Sequence, residues 1–409
     1  MARREHTQHN QIDKRKQASA SAGRKEKSTE TGRRNDRARS ERSVAPKRGG
    51  NRAPGEGRRA GERAQTERTP GAYTASGTAA RDWAQPVAVT VETEAQLAEV
   101  LRHDAVALVY LDEACFTDFT ALIQRVHAAG KQAGLRLRRI ERDFDANGRK
   151  AENSAELLNG LWKAACDAQT TGVPERSAEE RAAQSVSSAD RGSAAAVEAG
   201  SQMSASGKQL SSCLPDVLLV RNLDEAMQLE DFFTAHPELK ARIRRNFDYT
   251  VYGYNQEAIQ ALASLGADGL TYPIELTYHE CRKLREKLRS SGPGELPFEL
   301  IIYGHLPMMV SANCIQRTSA RCDHGNRILQ LRDRMGKDMP VRCYCTYCYN
   351  QIFNAEPLVL YDLPDEVRAL QPQCLRYDFS VEPAAVVRQV LEGAVPRSMT
   401  RGHFRHGIE

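Results

Sequence analysis

VAVTVETEAQLAEVLRHDAVALVYLDEACFTDFTALIQRVHAAG, residues 87–130, decides how this chain folds. Val87–Val91 is a short run rich in β-branched residues, and EAQLAEVLRH behind it spaces its apolar side chains as a helix does. Val106–Leu111 (VALVYL) and the helical FTDFTALIQRVHAAG repeat the unit. Working outward, the alternation continues with a third strand at Leu135–Ile140 (LRLRRI) and a fourth at Val217–Val220 (VLLV), which LDEAMQLEDFFTA follows. A fifth is expected at Tyr249–Tyr254 (YTVYGY) before QEAIQALASLG, and a sixth at Leu270–Leu276 (LTYPIEL) before YHECRKLREKLRS. The seventh is Glu299–Tyr303 (ELIIY), and the eighth, Leu375–Phe379 (LRYDF), leads into EPAAVVRQVLEG. Eight strands alternating with helices predict an α/β chain folded as a parallel (β/α)8 TIM-like barrel; an open doubly wound sheet satisfies the same periodicity.

Two segments interrupt the pattern. Residues 1–82 are rich in Arg, Gly, Ser, Glu and Ala and nearly lack large apolar side chains, so they are expected to form a disordered basic linker ahead of a barrel domain at 83–409. Residues 1–70 hold 20 Lys or Arg against 9 Asp or Glu, so the net +5 of the chain leaves the remaining 339 residues at −6. Such a tail suits RNA phosphates, and equally suits a solvated linker without a partner. A long linker at the start also raises the expectation of a further domain upstream. The second segment, 170–212, is polar and of low complexity and is expected to be a disordered insertion between the third and fourth strands.

The seventh strand runs into the chemistry. Residues 305–365 form a cysteine-rich stretch expected to be a metal-binding loop, with Cys314, Cys322, Cys343, Cys345 and Cys348. Cys345-x2-Cys348 is a close pair and Cys314-x7-Cys322 a wide one. Four thiolates suit zinc or an iron–sulfur cluster. The first pair is too wide for a zinc knuckle, which favours an iron–sulfur cluster, with Zn as the alternative. The isolated Cys115, Cys166, Cys213, Cys281 and Cys374 read as buried or free thiols. Barrel enzymes work from loops that follow strand C-termini. On that ground His305, Glu275 and Asn255 are candidate catalytic groups, with helix capping as the competing role for Glu275 and Asn255. Asp323 and His324, beside the second cysteine, are further polar neighbours. Phosphate-cradling glycine loops, a Ser-His-Asp order and an HExxH helix do not occur.

At these residues the chain resembles peptidase family U32, the collagenase-like proteases, and specifically the C-terminal barrel of its long Firmicutes-type members. The family signature E-x-F-x2-G-[SA]-[LIVM]-C-x4-G-x-C is met by Glu299, Gly304, Leu306 and Cys314. It is departed from at Ile301, His305, Pro307 and Ala312. DYTVYGYN (248–255), IELTYHE (274–280), CxxCYN (345–350) and TRGHFRHGIE (400–409) extend the resemblance over roughly residues 85–409. The resemblance implies two activities: hydrolysis of peptide bonds, or hydroxylation of transfer RNA, ribosomal RNA or ubiquinone precursors. In the second group it also implies a four-iron (4Fe-4S) cluster held by the residues matching Cys314, Cys322, Cys345 and Cys348. Cys343 has no counterpart, and Pro307 replaces a thiol that a nucleophile mechanism would use. A partner barrel that does no chemistry of its own is a third expectation.

The sequence has no run of 18 apolar residues and so predicts no membrane span. The opening MARREHTQHNQ lacks the apolar stretch of a secretory signal. A cytoplasmic location, where clustered thiols bind metal more often than they pair, is the expectation.

Overall fold

The computed structural model describes residues 73–74, 83–171, 213–290, 296–319 and 322–407. In chain order come β1 (Tyr73–Thr74), β2 (Val87–Val91), α1 (Glu94–Val100), β3 (Val106–Asp112), α2 (Phe119–Ala128), β4 (Gln132–Arg136) and α3 (Ser154–Thr171). Then follow β5 (Val217–Val220), α4 (Leu223–Ala235), the short α5 (Pro237–Lys240), β6 (Arg244–Phe247), α6 (Gln256–Ser264), β7 (Gly269–Thr271) and α7 (Tyr278–Ser290). From β8 (Phe298–Gly304) the chain enters β9 (Pro307–Ser311), α8 (Ile315–Ser319), β10 (Ile328–Arg332), β11 (Asp338–Tyr344) and β12 (Tyr349–Phe353). It returns through β13 (Leu358–Val359), α9 (Pro364–Ala369), β14 (Cys374–Asp378), α10 (Ala384–Leu391) and β15 (Val395–Pro396).

Strands β2 to β8 and β14 are all parallel. They pair in the circle β14-β2-β3-β4-β5-β6-β7-β8, and β8 pairs back onto β14. The sheet is therefore a closed eight-stranded barrel, and the open doubly wound alternative falls. Strand side chains that face the helices, such as Val89, Val109, Leu135 and Leu218, pack with Leu97, Ile123 and Leu229 in one continuous core. Burying each such side chain contributes about 1.5–3 kcal/mol. A smaller cluster of Ala88, Leu108, Tyr110, Val217 and Leu219 forms separately. Tyr110 sits opposite Gly134 across β3 and β4, where an added Cβ would lie 2.4 Å from the Tyr110 ring. Only glycine leaves room for the Tyr110 ring over that backbone.

Several expected elements are corrected. The fifth strand is Arg244–Phe247, and Tyr249–Val251 within the expected run is a single 3-10 turn. RRNF reads as polar because its side chains find partners across the fold: Arg245 bonds Glu230 at 2.7 Å and Asn246 bonds Glu299 at 2.8 Å. The third strand begins three residues early, at Gln132, and stops at Arg136; the sixth ends at Thr271. Residues 305–365 are not a loop. Strands β9 to β12 form a separate antiparallel sheet in the order β10-β11-β12-β9. Its β10–β11 hairpin turns at Asp333–Lys337, where Asp333 Oδ1 accepts from Met335 N and Lys337 N, both at 2.8 Å, and Gly336 takes φ +81°. That is ordinary hairpin chemistry. The segments expected to be disordered, 1–82 and 170–212, lie outside the described residues except for β1 and the end of α3. There β1 pairs antiparallel with β15, and the helix runs on to Thr171. Among the described residues no helix is long and apolar enough to cross a membrane.

Candidate functional site

Six barrel strands end on, or just before, a charged residue: Glu92, Asp112, Arg136, Arg221, Asp248 and Asp378. These side chains meet at the C-terminal mouth of the barrel. Arg136 pairs with Glu92 at 3.2 Å and Asp112 at 3.5 Å, and Arg221 lies 3.7 Å from Asp112 and 3.6 Å from Asp248. Arg376, fully buried, donates to Asp248 (2.6 Å), Glu299 (2.8 Å), Asp378 (2.9 Å) and Thr271 (3.1 Å). Tyr110 donates to Glu299 at 2.7 Å. Charges this deep persist only when paired, and Arg136, Arg221 and Arg376 each stand between two or more carboxylates. Burial pushes the Asp112 carboxyl up from its usual range. Burial acts on Glu92 too, but Arg342 and Arg136 outweigh it and hold that carboxyl low.

The antiparallel sheet is fastened to this mouth through β11. Arg342 Nε donates to Glu92 Oε2 at 2.8 Å, its Nη2 donates to the Ser380 carbonyl at 2.6 Å, and Tyr344 OH lies 3.1 Å from Glu92 Oε1. Tyr344 stacks on Tyr349 with ring centres 4.7 Å apart, and both pack on Ala114. Successive side chains of a strand point to opposite faces. Arg342 and Tyr344 face the barrel, so Cys343 and Cys345 between and beyond them fall on the other face.

There the thiols gather. Cys345 Sγ donates to the Gly325 carbonyl (3.2 Å) and lies 3.9 Å from Gln316 Oε1, which also accepts from Cys322 Sγ at 3.4 Å. Cys314 precedes α8, and its carbonyl accepts from Thr318 N at 3.1 Å. Cys348, exposed and with φ +53°, sits in the turn between β11 and β12. Burial, followed by the charges of Cys343, Cys322, Cys314 and Cys348, pushes the Cys345 thiol up to about 12. Burial and then Cys314 and Cys322 push Cys343 to about 11. The four expected ligands, Cys314, Cys322, Cys345 and Cys348, thus share one patch, and Cys343 stands within it. Among the described residues no three Cys, His, Asp or Glu groups stand close enough to hold a metal ion. The chemistry of the donor set nevertheless fits a soft metal: the set is all thiol, and the Gln316 carboxamide contacts two of its members. Of the isolated thiols, Cys213 and Cys281 are buried, and Cys115, Cys166 and Cys374 are partly exposed.

The three catalytic candidates take partners of their own. His305 is buried; its Nδ1 donates to the Asn354 carbonyl at 2.7 Å, and its Nε2 lies 3.9 Å from Glu382 Oε1. Asn255 is the N-cap of α6, with Oδ1 accepting from Ala258 N at 2.8 Å, so its capping role is realised. Glu275 accepts from Tyr254 OH and does not cap α7, whose first turn is held by Thr277 and Glu280. Asp323 pairs with Arg327 at the surface. Sequence reasoning passed over the charged ring. Its signal was present: a charge at the end of six strands, which a solvent-facing reading assigns to loops.

No protein-family model and no curated protein matches the chain. Among solved structures, the glycerol uptake operon antiterminator regulatory protein of Listeria monocytogenes str. 4b F2365 is similar at 10% identity. That match covers 54% of this chain and 81% of that one, with a TM-score of 0.28. The barrel rests on the strand pairing given above.

Proposed function

We propose that this chain is a protein of the U32 type that binds an iron–sulfur cluster and acts in hydroxylation or related modification of transfer or ribosomal RNA in the cytoplasm. The observation that carries the reading is a patch of five thiols on the connections and one strand of a small sheet that Arg342 fastens to the C-terminal mouth of a barrel, where barrel enzymes work. Cys314, Cys322, Cys345 and Cys348 would hold the cluster. When bound it would supply electron transfer or substrate activation next to the mouth. The chain's own residues keep the two modules in register through Glu92, Arg342 and Tyr344. RNA would reach the protein through the basic residues 1–70, which lie outside the described residues, and an upstream barrel of the same type is the partner the resemblance favours. The test compares RNA nucleosides by mass spectrometry from cells with and without the gene, and from cells carrying Cys345→Ser. The reading expects a hydroxylated nucleoside that disappears in both altered strains. Identical nucleosides in all three, with peptide cleavage by the purified chain, would replace it with the peptidase reading.

A further inference from the structure

A second buried cluster lies beside the charged ring and takes no part in it. Glu113 follows β3, Arg138 follows β4, Ser154 opens α3 and Glu225 lies in the first turn of α4. All four are buried, Glu225 and Ser154 completely. Ser154 Oγ is 3.0 Å from Glu113 Oε2 and 3.0 Å from Glu225 Oε1. A hydroxyl has one proton to donate, so it satisfies one carboxylate; the other contact requires a proton carried by the carboxyl itself. Arg138 decides which. Its Nε is 2.9 Å from Glu113 Oε1, and its backbone N donates to Glu113 Oε2 at 3.3 Å, so Glu113 is the first of the two to give up its proton. Among the described residues Glu225 has no cation at that distance, and its Oε2 is buried without a hydrogen bond. The chain of donation therefore runs from Glu225 to Ser154 to Glu113.

The far end of this chain touches the cysteine sheet. The Arg138 guanidinium lies over the Tyr347 ring, 4.6 Å from its centre, and Tyr347 sits between Cys345 and Cys348. We propose that Glu113 and Glu225 share one proton through Ser154, and that losing it draws Arg138 away from Tyr347, so that the turn carrying Cys345 and Cys348 responds to pH. With the proton gone, two carboxylates face each other across one hydroxyl, and Arg138 is the cation placed to come between them. The other charged groups facing the cluster are Glu141 on the loop after β4, 3.9 Å from Arg138 Nη2, with Asp143 beyond it, Glu152, whose carbonyl accepts from Arg138 Nη2, Glu156 of α3, which is bonded to Lys150, Asp224 of α4, and Asp112, which with Glu152 acts on Tyr347. Except for Lys150, which Glu156 engages, these are acids and add to the demand for a proton. In agreement, burial pushes Glu113 up to about 7 and Glu225 well above its ordinary range. The arrangement stands whichever metal the thiols take.

The test uses the full chain. Infrared spectra with carbon-13-labelled glutamate are expected to show a protonated carboxylic acid band at neutral pH that Glu225→Gln removes. In fluorotyrosine-labelled protein the Tyr347 resonance, assigned with Tyr347→Phe, is expected to move between pH 6 and pH 9 (on the order of the shifted range) in the natural chain and to stay fixed in Glu225→Gln. Glu113→Gln, which also leaves a single carboxylate, serves if Glu225→Gln fails to fold. Absence of the acid band, or a Tyr347 resonance that titrates equally in the variant, overturns the proposal.

Discussion

Arg342 Nε donates to Glu92 Oε2 at 2.8 Å, joining the central strand of the cysteine sheet to the rim of the barrel through two side chains that are almost wholly buried. The contact spans 250 residues of sequence. Glu92 also takes Arg136 and Tyr344, so it is the point at which ring and sheet converge. Replacing Arg342 by Met would leave the Glu92 carboxylate short of its main partner. The expected loss is about 3–5 kcal/mol of stability by urea unfolding. A loss below about 1 kcal/mol would mean the contact contributes no more than a surface pair.

Gly134 makes the second prediction. The Tyr110 ring cannot retreat from a new Cβ, because its hydroxyl is held by Glu299 and Asn246. Gly134→Ala is therefore expected to cost about 1–3 kcal/mol as an overpacked core does. Unchanged stability would show that the ring moves freely.

Glu113 gives stability a pH dependence. Its carboxyl binds a proton more tightly in the folded chain, where burial raises it to about 7, than in the unfolded chain near 4.5. The folded state therefore holds more protons across that window, and the group's contribution is complete below it and is lost as pH rises through about 7. Thermal melts of Glu113→Gln and the natural chain from pH 5 to pH 8 (about the span of the shift) should diverge, with the natural chain losing several degrees more. Parallel curves would remove Glu113 as the source.

Gln316 tests the thiol patch without touching a thiol. Its Oε1 accepts from Cys322 and lies 3.9 Å from Cys345 Sγ, so Gln316→Leu removes the group that orients them. Partners of metal ligands typically matter about 10- to 100-fold in metal affinity, and a loss of that size is expected in competition with a chelator. Equal affinity would place the metal elsewhere.

Much of this architecture is legible in the chain. Apolar runs such as VAVTV and VLLV are strands buried on both faces, and they fall where the structure has β2 and β5. What escapes reading is whatever depends on a partner far away. RRNF forms β6 because Glu230, Asp268 and Glu299 meet its polar groups, and no local pattern announces those partners. Gly134 sits mid-strand and argues against a strand until Tyr110 is seen to need the space. The cysteines were visible as a group, but their sheet was not. The alternation that turns Cys343 and Cys345 away from Arg342 and Tyr344 appears only once β11 is paired with β12.

The most direct test of the central claim is the metal content of the full chain purified without oxygen, alongside Cys314→Ser, Cys322→Ser, Cys345→Ser and Cys348→Ser. The account predicts a coloured protein with about four iron and four acid-labile sulfide per chain, lost in each variant. A colourless protein carrying only stoichiometric zinc, or iron that survives all four substitutions, would contradict it.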